Sequence, residues 1–428
     1  MSGSHILLNK QIRSLRESST LAINQRVKDL RSQGQTVFHF GFGQSPFPVP
    51  AQIVKSLRDA ADNKDYLPTL GLLPLRQAFC DHYQRTYRVT FNPDHVLIGP
   101  GSKELLFQAL MCLEGPLILP APSWVSYGPQ AHICHKPVRV LATTLENSYK
   151  ITDVDLEKAC QEMADHRQKI LILNSPSNPT GCTYSSAELS NLAPVLRKHR
   201  VLVIADEIYS LTAYDGQPAP SLAQCYPEGT IVSSGLSKGF SAGGYRLGVM
   251  AIPEALSELL PVLTALVSET YSCVSSPIQY AAVAAYQADP EINHYLRTCS
   301  QIHKVCGEYL YARFLEMGLR CPPPTGAFYL FPDFESYRQQ LKEIGVTTSE
   351  QLCGLLLNEV KVALLPGSDF YMPETYLAVR VATVDYKGEE LLRAAQQGAS
   401  LDHKFVEQYA TNLKNGCDRI QNFLQSLG

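Results

Sequence analysis

Residues 235 to 248 read Gly-Leu-Ser-Lys-Gly-Phe-Ser-Ala-Gly-Gly-Tyr-Arg-Leu-Gly, a single lysine in a loop of small residues with an arginine eight positions on. A lysine amine can form a Schiff base with an aldehyde, and a fixed guanidinium can grip a phosphate through paired hydrogen bonds. Lys238 and Arg246 therefore point to a phosphorylated aldehyde, pyridoxal 5'-phosphate. Taken alone, the same residues also describe a surface lysine and a salt-bridged arginine that follow a strand.

Five further clusters carry groups that such a cofactor uses. Asp206 closes the apolar run Val201 to Ala205 and is followed by Glu-Ile-Tyr209. A carboxylate there can pair with a protonated ring nitrogen and keep the ring an electron sink, while the Tyr209 phenol can donate to the ring oxygen. The plainer reading of Asp206 is a helix N-cap. In the turn-rich loop Asn174 to Gly181, Asn178 can donate to the ring oxygen and to a substrate carboxylate, although connecting turns share this composition. Gly99 to Glu104 turns from a strand into a helix, so the backbone N–H groups of Gly101, Ser102 and Lys103 face any anion at the helix's positive end. Trp124 is the only tryptophan and follows Pro122-Ser; its ring can stack on a pyridine face or simply pack in the core. Arg380 interrupts an apolar run, where a buried guanidinium needs either a structural acid or the α-carboxylate of an amino acid.

These residues need a scaffold that brings strand ends together. The runs Val96 to Ile98, Leu117 to Leu119, Ile170 to Leu173, Val201 to Ala205, Thr230 to Val232 and Leu247 to Ile252 are short and nearly all apolar, the pattern of buried parallel strands. Ser186 to His199, with its Ser-Ala-Glu start and basic end, reads as a helix between two of them. The middle of the chain is thus a wound α/β structure with right-handed crossovers, and ligands of such sheets gather at the carboxyl ends of the strands. From about Glu291 a long helical segment runs through Ile302 and Tyr311, then the chain turns at Pro322 to Pro324 into a strand candidate, Ala327 to Phe331. The expected units are residues 1–50 packing with a small C-terminal α+β unit, 51–290 as the large cofactor-binding unit, and 291–428 as the small one.

Composition excludes several other classes of protein. With 428 residues, 45% hydrophobic and 18% charged, the chain can bury a sizeable core. A formal net charge of −3 offers no basic field for nucleic acid or an anionic membrane. No apolar stretch long enough to span a bilayer and no secretion signal is visible, so a cytoplasmic protein is expected. The twelve cysteines contain no CxxC pair, which fits reduced thiols; His132 and His135 lack the further ligands that a metal site needs.

Order and spacing of these clusters, with Tyr66, Gly71, Leu75-Arg76 and Gly326-Ala-Phe-Tyr, resemble the class I/II aminotransferases of pyridoxal-phosphate fold type I, over about residues 40 to 385. The resemblance implies a large domain with a mainly parallel seven-stranded sheet, a small α+β domain, and a homodimer with shared active sites. It implies that Lys238 is the Schiff-base lysine and proton carrier, that Asp206 pairs with the ring nitrogen, and that Tyr209 and Asn178 contact the ring oxygen. Trp124 and Ile208 would cover the two ring faces. Gly101, Ser102, Lys103, Ser237 and Arg246 would hold the phosphate, with Tyr66 reaching in from the partner subunit, and Arg380, Asn178 and Gly43 would meet the substrate carboxylate. The implied reaction moves an amino group from an amino acid to a 2-oxo acid in two half-reactions.

Some positions depart from the family. Gly235 stands where many members carry a serine or threonine, leaving Ser234 or Ser237 to replace that hydroxyl. The segment Gly43-Gln-Ser-Pro-Phe47 replaces a glycine-acid-proline-aspartate pattern. Tyr271 stands where dicarboxylate-specific relatives carry an arginine from the neighbouring subunit, which favours an aromatic, apolar or unusual donor, with Phe40, Phe42 and Phe328 as candidate pocket walls. The same fold also runs β-lyase, decarboxylase and carbon–carbon bond-forming reactions. A non-catalytic sensor of this fold would need a DNA-binding head, and none is expected before residue 40.

Overall fold

A computed structural model describes residues 6, 7, 9 and 12 to 427, so Met1 to His5 lie outside the described residues. The central sheet has seven strands: β1 (Val96–Gly99), β2 (Leu117–Ala121), β3 (Val138–Ala142), β4 (Lys169–Asn174), β5 (Val201–Asp206), β6 (Thr230–Gly235) and β7 (Gly248–Ala251). Their order across the sheet is β1-β7-β6-β5-β4-β2-β3. The pairs β2·β3, β2·β4, β4·β5 and β5·β6 are parallel.

Two strands of this sheet differ from the sequence reading. Leu247 to Ile252, expected to be a parallel strand, supplies β7, which runs antiparallel to both β6 and β1. The loop that joins β6 to β7 holds only a single 3-10 turn, and a parallel neighbour requires a longer crossover, usually helical. The other difference is β3, which the apolar-run criterion passed over. It lies at the edge of the sheet with Val138 and Arg139 exposed, so no continuous apolar run marks it.

Alternate residues of β5 serve opposite faces of the sheet, as the two-residue period of a strand demands. Ile204 packs with Leu105, Leu106 and Leu263 on one side, and Val203 packs with Leu156, Leu189 and Leu192 on the other. The helix Ser186–His199 begins where the sequence places it, because the Ser185 side chain accepts from the Glu188 N–H while the Glu188 carboxylate accepts from the Ser185 N–H. The long helix is Pro290–Glu316, started by Asp289, whose carboxylate accepts from the N–H groups of Glu291 and Ile292.

A second, three-stranded antiparallel sheet places Val379–Ala382 between Leu365–Pro366 and Tyr329–Leu330. The expected strand Ala327 to Phe331 shortens to two residues because Ala327 adopts φ 56°, which breaks the extended run. The N-terminal segment joins this region. Phe38–His39 pairs with Val362–Ala363, and Phe38, Phe40 and Phe47 share one core with Ile302, Leu310, Phe405 and Leu413.

Gly248 shows how tightly the site-bearing edge is packed. A Cβ there would stand 2.4 Å from the Ser102 nitrogen and 2.5 Å from the Gly101 carbonyl carbon, whereas Gly244 has nothing within 4 Å of the same atom. Gly248→Ala should therefore lose roughly 1–3 kcal/mol of stability by overpacking, and Gly244→Ala should stay within about 0.5 kcal/mol of the parent. Urea unfolding of the two variants checks this, and equal midpoints contradict it.

Candidate active site

The strand ends that carry the chemical residues are level. Asn174 pairs in register with Asp206, and Asp206 with Ser233, at the carboxyl ends of β4, β5 and β6. Because β7 is reversed, its first residue, Gly248, pairs with Gly235 and Gly99 at this same edge, which brings Arg246 to it as well. A cavity of about 440 Å³ opens over the edge. Lys238, Asp206, Tyr209, Asn178, Ile208 and Trp124 line it, as do Ser102, Lys103, Ser237, Arg246, Gly43 and Arg380. Gly101 does not line it and sits behind Arg246. Tyr66, expected to reach into the partner subunit's site, is 93% exposed on the surface of its own chain. A larger cavity of about 1180 Å³ lies alongside, beneath residues 14–26; it shares Ser18 and Lys103 but contains none of Lys238, Asp206 and Arg380.

Burial and a neighbouring cation favour the neutral form of Lys238. Its Nζ donates to the Gly43 carbonyl at 2.8 Å and lies 5.5 Å from the Tyr209 ring centre. Burial, reinforced by the positive charge of Arg380 and opposed by Asp206, lowers its pKa to about 8. Asp206 is shifted in the opposite sense of charge: burial raises its pKa to about 6, held back by the hydrogen bonds it accepts. The Tyr127 hydroxyl donates to Oδ2 at 2.7 Å and the Ile208 N–H to Oδ1 at 3.3 Å. A buried amine and a buried acid, each displaced toward neutral pH in one cavity, mark a site able to move protons.

Arg380 is the most enclosed charge of the cavity, only 1% exposed. Its Nη1 donates to Asn178 Oδ1 at 3.3 Å and its Nη2 to the Gly41 carbonyl at 2.5 Å. The guanidinium lies 4.9 Å from the Tyr329 ring centre and 5.3 Å from that of Phe370. Its Nε has no partner, and no carboxylate forms an ion pair with it among the described residues. A planar cation held this way is matched to a carboxylate brought in from solution.

The opposite end of the cavity is built for a larger anion. The helix Ser102–Cys112 has no side-chain cap, which leaves its first N–H groups open. Arg246 is fixed beside it by bonds from Nη1 to Gly243 O at 3.0 Å and from Nη2 to Pro100 O at 3.1 Å. Gly101, at φ 98°, gives the guanidinium its room, since a Cβ would stand 2.3 Å from Nη2. Lys103 Nζ lies 5.0 Å from the Trp124 ring centre, and its pKa is lowered by partial burial and by Arg246. Open helix amides with a guanidinium for a phosphate, a buried carboxylate for a ring nitrogen and a buried amine for an aldehyde together fit pyridoxal 5'-phosphate.

Several residues of the site were missed by the sequence reading. Tyr127 holds Asp206, and Asn174 ties the turn together, its Nδ2 donating to Asp206 O at 2.8 Å and its Oδ1 accepting from the Asn178 N–H at 2.7 Å. Tyr329 bonds Tyr209 through their hydroxyls at 2.8 Å and covers Arg380; its place in Gly326-Ala-Phe-Tyr was the available signal. Of the candidate pocket walls only Phe42 faces the cavity, while Phe40 and Phe328 are buried in the cores beside it. Ser237 lines the cavity in place of the hydroxyl absent at Gly235. Tyr271 donates to the Ile98 carbonyl at 3.2 Å and lies outside the cavity of its own chain.

Known proteins match along nearly the whole chain. The family model for aminotransferase class I and II matches residues 35–396. An aspartate aminotransferase of Bacillus subtilis is 33% identical over 415 residues, covering 94% of this chain and 100% of the relative. An asparagine–oxo-acid transaminase of Streptococcus mutans is 31% identical over 378 residues, covering 86% of this chain and 93% of the relative. The solved aspartate aminotransferase of Thermotoga maritima superposes with a TM-score of 0.79 at 27% identity, over 98% of this chain and all of that one. The chain therefore belongs to the class I and II aminotransferases, and it is a pyridoxal-phosphate-dependent enzyme that transfers an amino group between an amino acid and a 2-oxo acid.

Proposed function

We propose that the 440 Å³ cavity is the catalytic centre, with Lys238 as proton carrier, Asp206 as partner of the ring nitrogen and Arg380 as anchor of the substrate α-carboxylate. The observation that carries this reading is a largely enclosed amine and a buried guanidinium facing one cavity, with no carboxylate paired to the guanidinium among the described residues. Tyr209 and Asn178 serve the ring oxygen, Trp124 and Ile208 the ring faces, and Gly101, Ser102, the backbone N–H of Lys103, Ser237 and Arg246 the phosphate, which leaves the Lys103 side chain available to the substrate.

When bound, pyridoxal 5'-phosphate supplies an aldehyde that takes up the amino group and a ring that accepts the electrons left on the α carbon. The chain's residues do the rest. Arg380 and Asn178 orient the substrate by its carboxylate, and Gly43 lends a carbonyl that steers Lys238 Nζ. With its pKa lowered to about 8, that nitrogen can be neutral near working pH and take the α proton. Asp206, anchored by Tyr127, holds a proton on the ring nitrogen.

The substrate is assigned to the acidic amino acids and their amides. The relatives named above are an aspartate aminotransferase and an asparagine–oxo-acid transaminase, and Lys103 offers a cation at the cavity wall without a carboxylate partner among the described residues. This assignment replaces the aromatic or apolar donor suggested by Tyr271, because the charge needed for a distal carboxylate can come from the same chain. The enzyme acts as a cytoplasmic homodimer in which Tyr66, exposed here, enters the partner's site. Residues 1–50 and 291–428 form the small domain and 51–290 the large one. In support of the cytoplasmic reading, no helix of the described residues is long and apolar enough to cross a membrane.

Lys238→Ala should abolish transfer and still retain cofactor, seen as bound absorbance without turnover; activity in that variant removes the assignment. Asp206→Asn should slow the α-proton step by about 10²–10³, equivalent to about 2.7–4 kcal/mol, read by single-turnover absorbance. Lys103→Ala should raise KM for aspartate severalfold while sparing a neutral donor, and equal effects on both would place the distal group elsewhere. In cofactor-free protein, the labelling of Lys238 by an amine-reactive reagent should rise with a midpoint near pH 8, and a midpoint near 10.5 contradicts the burial argument. Because the folded state depresses this pKa, the unfolded chain binds more protons between those values, so Lys238's contribution to the stability of the cofactor-free protein grows as pH rises through that window.

A further inference from the structure

A separate pocket of about 340 Å³ lies between the helix Leu73–Tyr87, the loop 211–218 and the first turns of the helix Pro290–Glu316. Its ionisable lining side chains are all basic: His82, Arg85 and Arg297. Arg85 spends one nitrogen on the Tyr286 carbonyl at 2.8 Å, and Arg297 has no hydrogen-bond or ion-pair partner among the described residues. Burial and the nearby Arg85 lower the His82 pKa to about 4, so at neutral pH its ring contributes a neutral N–H donor.

No carboxylate lines the pocket: Asp81, next to His82, is exposed outside it, and three others near in sequence are engaged elsewhere. Asp215 accepts from the Gln217 N–H, Asp289 caps the long helix, and Glu291 bonds Gln52. The rim adds the side-chain amides of Gln217, Gln287 and Asn293. Two guanidinium groups, an imidazole donor and free amides converging on one concavity form a receptor for an oxyanion.

The inner wall of this pocket reaches the catalytic loop. Leu211 and Leu296 line it, and both press on Gly239, where a Cβ would stand 3.0 Å from Leu211 Cβ and 3.5 Å from Leu296 Cδ2. Gly239 directly follows Lys238, and Ser300, also in the lining, bonds the Leu211 carbonyl at 3.1 Å. An occupant that draws Arg85 and Arg297 together sets the position of Leu211 and Leu296, and so the packing behind Lys238.

We propose that this pocket is a second anion site, one that takes a small phosphate or polycarboxylate metabolite and is coupled by Leu211, Leu296 and Gly239 to the lysine loop. The claim stands apart from the assignment of Lys238, Asp206 and Arg380, none of which it uses.

Titration calorimetry of the cofactor-loaded enzyme, with inorganic phosphate and separately with citrate, tests the proposal; in the loaded enzyme the cofactor fills its own phosphate site. One phosphate or one citrate per chain is expected, with affinity falling at least tenfold, about 1.4 kcal/mol, in Arg297→Gln. That variant alters an exposed side chain without a partner, so folding and basal turnover should be unchanged. Phosphate binding alone points to phosphorylated metabolites, and citrate binding alone to carboxylates. Saturation should also change the absorbance band of the lysine-bound cofactor in the parent and not in Arg297→Gln. Binding of neither probe, or binding equal in parent and variant, overturns the site, and an unmoved band in the parent overturns the coupling.

Discussion

The cost of keeping the Arg380 guanidinium out of water, with no ion-paired acid among the described residues, organises this molecule. A desolvated charge is tolerated only where surrounding dipoles and rings replace most of its hydration. Four separate stretches of chain do that here: the Gly41 carbonyl, the Asn178 amide, and the rings of Tyr329 and Phe370. These stretches come from the N-terminal segment, the central sheet and the three-stranded sheet. The group proposed to receive a carboxylate is thus also the point at which the parts of the chain meet, and its Nε is left without a partner.

A second constraint is the level edge of the central sheet. Parallel strands end on one side, and five of the six endings deliver one chemical function each: open amides after β1, an aromatic ring after β2, an amide after β4, a carboxylate at the end of β5 and an amine after β6. The hydrogen-bond register makes these ends coplanar, so the spacing between Asn174, Asp206 and Ser233 follows from strand geometry. Tyr127, Asn174 and Tyr329 then lock the side chains that the strands present.

Much of this was legible in the sequence because parallel strands buried on both faces appear as unbroken apolar runs. Residues such as Asp206 and Lys238 announced themselves by ending those runs with a charge or a small-residue loop. What escaped had no such mark. The edge strand Val138–Ala142 is half exposed, and the direction of β7 depends on how its loop is closed. Tyr127 acts on Asp206 from 79 residues away, a contact set by tertiary packing that no local pattern encodes. Tyr66 illustrates another limit: it was singled out by motif for the partner subunit's cavity, and its own chain shows it only as an exposed surface residue.

The reversal of β7 has a mechanical result. Lys238 and Arg246 belong to one hairpin connection, its two stems stitched together from Gly235·Gly248 onward. The distance between Lys238 and Arg246, the two proposed cofactor anchors, is therefore a property of a short, self-contained loop, like the fixed gap of a caliper. Any drift of the remaining walls of the cavity changes which substrate side chain fits while leaving that gauge untouched. The spacing of Lys238 and Arg246 and the wall around Arg380 are in this way written into different stretches of the polypeptide and can be altered one at a time.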